Sequence, residues 1–186
     1  MTINIKYLYL NTPMSHYEYM RLKISNLPED FSKQYNLTYK FTKYGYAYVN
    51  IGRGIYGLPP SGLLSQQLLE KRLNAQGHRQ SKLTPGFWKH DWRLISFSLC
   101  VDYFGVEYFC KQHAEYLMSI LKTHYTIPHD WEGKRYLGLY VYWDYDKRCF
   151  HLSMLNYVVD ALNRSHHLQP RKPQDHPYPH VKPTYK

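Results

Sequence analysis

The segment Leu99-Cys100-Val101-Asp102-Tyr103-Phe104-Gly105 sets one carboxylate between two apolar stretches. Leu94 to Leu99 reads as a strand entering Asp102, and Val106 to Phe109 as the strand leaving it, so the acid sits at a hairpin turn. A carboxylate held at a rigid turn is the hard oxygen ligand that Mg²⁺ prefers. Asp is also common in surface turns for conformational reasons alone. The second candidate is the loop Arg53 to Gly62, basic and rich in Gly and Pro, ahead of a helix. Such a loop can bring backbone N–H groups close to a phosphate or a base. It is not a P-loop, because no Gly-Lys-Ser/Thr follows, and an ordinary strand–helix connection has the same composition. The eleven histidines are scattered. His113 lies near Cys110 and His166 adjoins His167, but neither pair completes a metal site. The three cysteines, Cys100, Cys110 and Cys149, contain no C-x-x-C pair, which argues against a zinc knuckle.

The elements that must position these residues follow from periodicity. Thr2 to Leu10 is rich in β-formers and predicts a strand, broken by Asn11-Thr12-Pro13. Tyr46 to Ile51 predicts a second strand. The loop from Gly52 to Gly62 ends at Ser61, a plausible N-cap for a helix over Leu63 to Ala75, with Leu64, Leu68, Leu69 and Leu73 on roughly one face and Gly77 as its stop. Gln112 to Thr123 carries Ala114, Leu117, Met118 and Leu121 at helical spacing. Tyr136 to Trp143 and Cys149 to Leu152 flank Asp144-Tyr145-Asp146-Lys147 and predict a second hairpin. Leu155, Val158, Val159 and Leu162 predict a short helix to about Arg164. From His166 the chain is polar and proline-rich and reads as a linker or extended arm over 166–186, leaving 1–165 as the folded part. The order is an α+β pattern, an antiparallel sheet with helices on one face.

Composition narrows the partners. The net charge of +10 favours a polyanion, with nucleic acid ahead of a membrane surface, although a solvated basic surface has the same charge. The 21 tyrosines can stack on bases, but the expectation from composition is that most are structural. No apolar run is long enough to span a bilayer. The odd cysteine count without a secretory signal fits a reducing intracellular compartment, cytoplasmic or nuclear.

In order along the chain, the segments resemble the reverse transcriptase domain of copia-type retrotransposons. The residues that carry the likeness are Tyr9-Leu10-Asn11-Thr12-Pro13-Met14, Glu18-Tyr19-Met20-Arg21, Gly54-Ile55-Tyr56-Gly57-Leu58, Thr84-Pro85-Gly86-Phe87-Trp88, Val101 to Val106, Leu137-Gly138-Leu139, and Leu152-Ser153-Met154 with Tyr157. The resemblance implies a polymerase palm with the start of a thumb, fingers largely missing, and a fold that begins upstream. It implies Mg²⁺ at Asp102, an RNA or DNA primer–template, and a deoxynucleotide if the chain is active. Tyr9 would lie under the incoming sugar. Tyr56, Gly57 and Leu58 would lie against template and nucleotide, and Tyr136 to Leu152 would hold the primer end.

The departures bear on activity. The family's opening-strand aspartate is Asn4 here, its second hairpin aspartate is Tyr103, and a template-loop glutamine is Pro60. Nucleotide addition uses two metals held by carboxylates, and the loss of a metal as Lewis acid costs several kcal/mol, or roughly a thousandfold in rate. Glu107 lies five positions past Asp102, too far along the outgoing strand to replace a ligand. The expectation is a catalytically impaired reverse-transcriptase-like fragment. The alternatives are a non-catalytic nucleic-acid-binding module with a basic surface at Lys134, Arg135, Lys147, Arg148 and Arg164, or an inert remnant of a decayed element.

Overall fold

The structure, a computed structural model, describes residues 1–37 and 44–166. The expected tail therefore lies outside the described residues from His167 onward. The chain divides into two compact units, Met1–Leu137 and Gly138–Lys186.

The first unit is built on a six-stranded antiparallel sheet. Its strands are β1 (Thr2–Asn4), β4 (His78–Gln80), β5 (Phe87–His90), β6 (Ile95–Cys100), β7 (Tyr103–Tyr108) and β8 (His129–Asp130), in the order β4-β5-β6-β7-β1-β8. Strand alternation sorts its residues. Ile3, Trp88, Ile95, Phe97, Phe104 and Val106 face one way and form a single buried core. Two helices supply the rest of that core: α2 (Pro59–Ala75) through Leu69 and Leu73, and α3 (Lys111–Lys122) through Leu117, Met118 and Leu121. The expected α+β class with antiparallel strands is therefore present. Apart from this sheet, β2 (Pro13–Lys23) and β3 (Tyr46–Arg53) form a two-stranded ribbon. The short helix α1 (Glu29–Gln34) and strand β9 (Arg135–Tyr136) complete the unit.

Several boundaries differ from expectation for identifiable reasons. The predicted strand Thr2 to Leu10 ends early: β1 stops at Asn4, and Tyr9–Asn11 form a 3₁₀ turn. Asn11 donates its side-chain amide to the carbonyls of Lys6 (3.3 Å) and Tyr7 (3.0 Å), and the buried Thr12 hydroxyl donates to the Leu8 carbonyl at 3.0 Å. These local bonds curl the chain where the alternation alone would extend it. Pro13 begins the eleven-residue strand β2. Helix α2 starts four residues earlier than Leu63, because Pro59 suits the first helical position; Leu58 is the N-cap. Ser61 lies inside the first turn, and its hydroxyl accepts the Ile55 N–H at 3.1 Å. Gly77 does end the helix region, at φ 81°.

In the second unit, β10 (Leu139–Asp144) pairs with β11 (Cys149–Ser153) as an antiparallel hairpin, followed by α4 (Leu155–Arg164). The predicted strand from Tyr136 is interrupted at Leu137 and Gly138, both with positive φ. The helix forms where its stripe predicts, yet Leu155, Val158, Val159 and Leu162 are all exposed. The three cysteines are free.

One buried group has a measurable consequence. His78 is fully buried, with both ring nitrogens unpartnered, edge-on to His90 at 4.8 Å between centroids. Desolvation first, then the charges of His90 and Arg93, push its pKa down to about 4, against a weaker opposing pull from Asp91. The folded state therefore binds this proton less readily than the unfolded chain. The contribution is fully present above about pH 6.5 and is lost as pH falls toward 4. We predict that between pH 7 and 4.5 urea unfolding shows a loss on the order of 2 kcal/mol that His78→Phe lacks. Parallel pH profiles of the two proteins would contradict this.

Candidate functional site around the Asp102 hairpin

Val101 and Asp102 are the two turn residues between the paired Cys100 and Tyr103. Val101 has φ of 57°. Two-residue hairpins with a left-handed first residue favour Gly there, and a β-branched residue carries strain of about 1–3 kcal/mol. The flanking ladder holds it in place: β6 and β7 pair in continuous register from Ile95↔Tyr108 to Cys100↔Tyr103. Asp102 is tied to the opening strand as well, since its carbonyl accepts the Ile5 N–H at 2.8 Å.

That tie gathers the positions singled out in the sequence. β1 pairs with β7 so that Asn4 lies directly opposite Tyr103, beside Asp102. Both lie on the sheet face away from α2 and α3, because their neighbours Ile3 and Phe104 face the core. On the same face Tyr136 covers Gly105, where an added Cβ would meet its ring at 3.3 Å, and Tyr136 and Ser98 hydroxyls are 2.9 Å apart. Burial lifts the Asp102 carboxyl above the usual range, opposed only by its own backbone N–H.

Tyr56 joins the group from the loop after β3. Its phenol is raised by desolvation first, then by the Asp102 carboxylate and the Tyr9 and Tyr103 phenols, which puts it within electrostatic reach of all three. Tyr9 and Tyr56 rings are tilted at 58° with centroids 4.7 Å apart. Gly54 makes this approach possible: a Cβ there would stand 2.9 Å from the Tyr9 carbonyl oxygen. Gly57 is at φ 91°, so the turn after Tyr56 also requires its freedom. Leu58 is half-buried as the N-cap of α2. Pro60, expected in the loop, is in the helix's first turn instead.

Chemically, the cluster offers one carboxylate, one amide and three phenols. It can stack, donate hydrogen bonds and hold a single cation weakly. Two divalent metals do not fit it. Among the described residues no group of three or more His, Cys, Asp or Glu is placed to hold a metal. Glu107 is no substitute, since it accepts the Ser96 hydroxyl at 2.9 Å and lies opposite Ser96, four pairs from the turn. The basic surface expected from the sequence is partly neutralised. Lys134 pairs with Glu132 and Lys147 with Asp144, and the five residues fall in two separate units. No helix among the described residues is long and apolar enough to cross a membrane.

Sequence reasoning missed a cleft of about 250 Å³ beside the turn, lined by Tyr9, Gln66, Glu70, Gln80, Trp88 and Val101. Its walls come from the 3₁₀ turn, α2, β4, β5 and the hairpin turn, so no contiguous signal exists. No family model, curated protein or solved structure matches this chain.

The strained turn gives a direct test. Val101 is 56% exposed, so its replacement sacrifices little packing. Val101→Gly is expected to stabilise the protein by about 1 kcal/mol, the relief of strain less the added freedom of the unfolded chain. A lower urea midpoint for the variant would show that the turn is relaxed with valine.

Proposed function

We propose that this chain is a reverse-transcriptase-like palm, related to the copia-type domain it resembles, that engages primer–template without catalysing nucleotide addition. The observation that carries the reading is the pairing of Asn4 opposite Tyr103 beside Asp102. In a polymerase palm those three positions hold the metal-binding carboxylates, and this chain has them adjacent on the open face with one carboxylate among them. Tyr9 and Tyr56, each inside a stretch that carries the resemblance, converge there with aromatic faces. The excess of ten positive charges supplies the electrostatic term for a phosphate backbone.

Mg²⁺ supplies Lewis acid chemistry where three carboxylates hold it. Here Asn4 contributes at most a neutral carbonyl oxygen, and Tyr103 offers a phenol where a carboxylate would stand. The residues therefore do not hold the metal pair, and the remaining chemistry is recognition: stacking by the phenols and hydrogen bonding by Asn4 and Asp102.

In primer extension with Mg²⁺ and deoxynucleotides, the protein is expected to give no product above an Asp102→Ala control, while binding the primer–template with an affinity that falls steeply with salt. A second arm reads the metal without activity. Millimolar Mg²⁺ leaves the thermal midpoint of the natural sequence unchanged, but raises that of the Asn4→Asp/Tyr103→Asp double variant, because a ligand bound only by the folded state stabilises it. Extension above control, or Mg²⁺ stabilisation of the natural sequence, would overturn the reading.

A further inference from the structure

Composition suggests that tyrosine is mostly structural here, yet many of the rings stand in solvent. Among the described residues ten tyrosines are exposed and only Tyr125 is buried. Their densest grouping on one element is the β2–β3 ribbon. The register pairs Tyr19 with Asn50, Arg21 with Tyr48 and Lys23 with Tyr46, so these six side chains share one face. Tyr17 joins them, its ring 3.6 Å from where a Cβ on Gly52 would stand. The opposite face carries Met20, Leu22, Ala47, Val49 and Ile51, with Ala47 buried, and also the ribbon's sole acid, Glu18.

The ribbon is thus sorted: one face is apolar apart from Glu18, the other aromatic and cationic with no negative charge. A purely structural use of tyrosine in a ribbon would set the rings opposite one another as cross-strand pairs. Here Tyr19 faces Asn50, and Tyr48 and Tyr46 face Arg21 and Lys23. Tyr17, Tyr19 and Tyr48 are more than 60% exposed. Arg21 lies over the Tyr46 ring at 4.6 Å, which orients its guanidinium along the face. Rings two residues apart on one strand stand about 6.8 Å from each other. Alternating aromatic surfaces and cations form a platform on which bases stack while phosphates meet the charges.

We propose that this ribbon face binds single-stranded nucleic acid, with bases stacked on Tyr17, Tyr19 and Tyr48 and phosphates on Arg21 and Lys23. The assignment does not rest on the palm reading, because none of these residues belongs to the Asp102 cluster. Stacking takes any base and the charges take any phosphate, so the site is sequence-tolerant and accepts DNA or RNA.

The test is fluorescence anisotropy of labelled oligo(dT) and oligo(U) with the full chain, and with a blunt duplex of equal length as competitor. Both single strands are expected to bind, with the duplex competing poorly. Tyr19→Ala/Tyr48→Ala weakens binding roughly tenfold or more, whereas Tyr19→Phe/Tyr48→Phe keeps it within about twofold, since the ring rather than the hydroxyl does the stacking. Arg21→Gln/Lys23→Gln lowers the salt dependence by about 1.4 units of slope, at about 0.7 for each charge removed. Thermal melts accompany every variant; should the alanine pair fail to fold, the phenylalanine and glutamine pairs decide. The proposal is overturned by alanine variants that fold and bind like the natural sequence, by phenylalanine variants as weak as alanine, by an unchanged salt slope, or by no binding to either single strand. Stronger binding to anionic vesicles than to oligonucleotides would also overturn it. Failure of the palm reading shows instead as Mg²⁺-dependent extension, which none of these arms measures.

Discussion

The first unit depends on a strand of three residues. β1 inserts between β7 and β8 and pairs with both, so the earliest segment of the chain is held by segments about a hundred residues later. Ile3 and Ile5 on either side of Asn4 are buried in the core with Phe104. The backbone bonds continue past the strand: Asn4 N–H to the Pro128 carbonyl, Ile5 N–H to Asp102, Lys6 N–H to Thr126. The N-terminal amine donates to the Val106 carbonyl at 3.1 Å, and its burial lowers its pKa. Closing so long a loop costs entropy that only the burial of the whole sheet face repays. Without β1, two strand edges in the middle of the sheet would be unpaired, and the Asp102 turn would lose its anchor.

The same pairing explains how the open face can change chemistry while the fold persists. Alternation puts Ile3 and Phe104 into the core and Asn4 and Tyr103 on the other side. Substitutions at the open positions leave the core untouched. They also remove a cost. Carboxylates crowded at one site repel one another unless a cation is bound, so Asn and Tyr there relieve strain that only metal binding would otherwise relieve. Without a bound cation, an open face with one acid is therefore more stable than one with three.

What the sequence made legible followed one rule: long periodic segments were readable and short or locally overridden ones were not. Helices α2, α3 and α4 announce themselves through leucine and valine at helical spacing, and the Asp102 hairpin through its apolar flanks. β4 and β5 are three and four residues long and carry His, Arg, Gln, Lys and Trp, which no alternation rule recognises. β2 was hidden because Pro13 reads as a breaker, whereas at the first residue of a strand its missing N–H is harmless. The positive φ of Val101 has no sequence signal at all, since a β-branched residue argues against it. Of the candidate site, the pairing of Asn4 with Tyr103 was accessible only by resemblance; nothing in composition places residue 4 beside residue 103.

The two surfaces differ in what their neighbours allow. At the Asp102 cluster, aromatic rings converge on a carboxylate whose own charge repels phosphate, so the cluster suits a base edge or a hydroxyl better than a backbone. On the ribbon the rings alternate with Arg21 and Lys23 and no acid intervenes, an arrangement that suits backbone and bases together. The chain's net charge is the same in both places; the local arrangement decides which part of a nucleic acid each can hold. A basic isoelectric point therefore predicts only that polyanions approach, while the register of β2 and β3 decides which side chains a bound polyanion would meet.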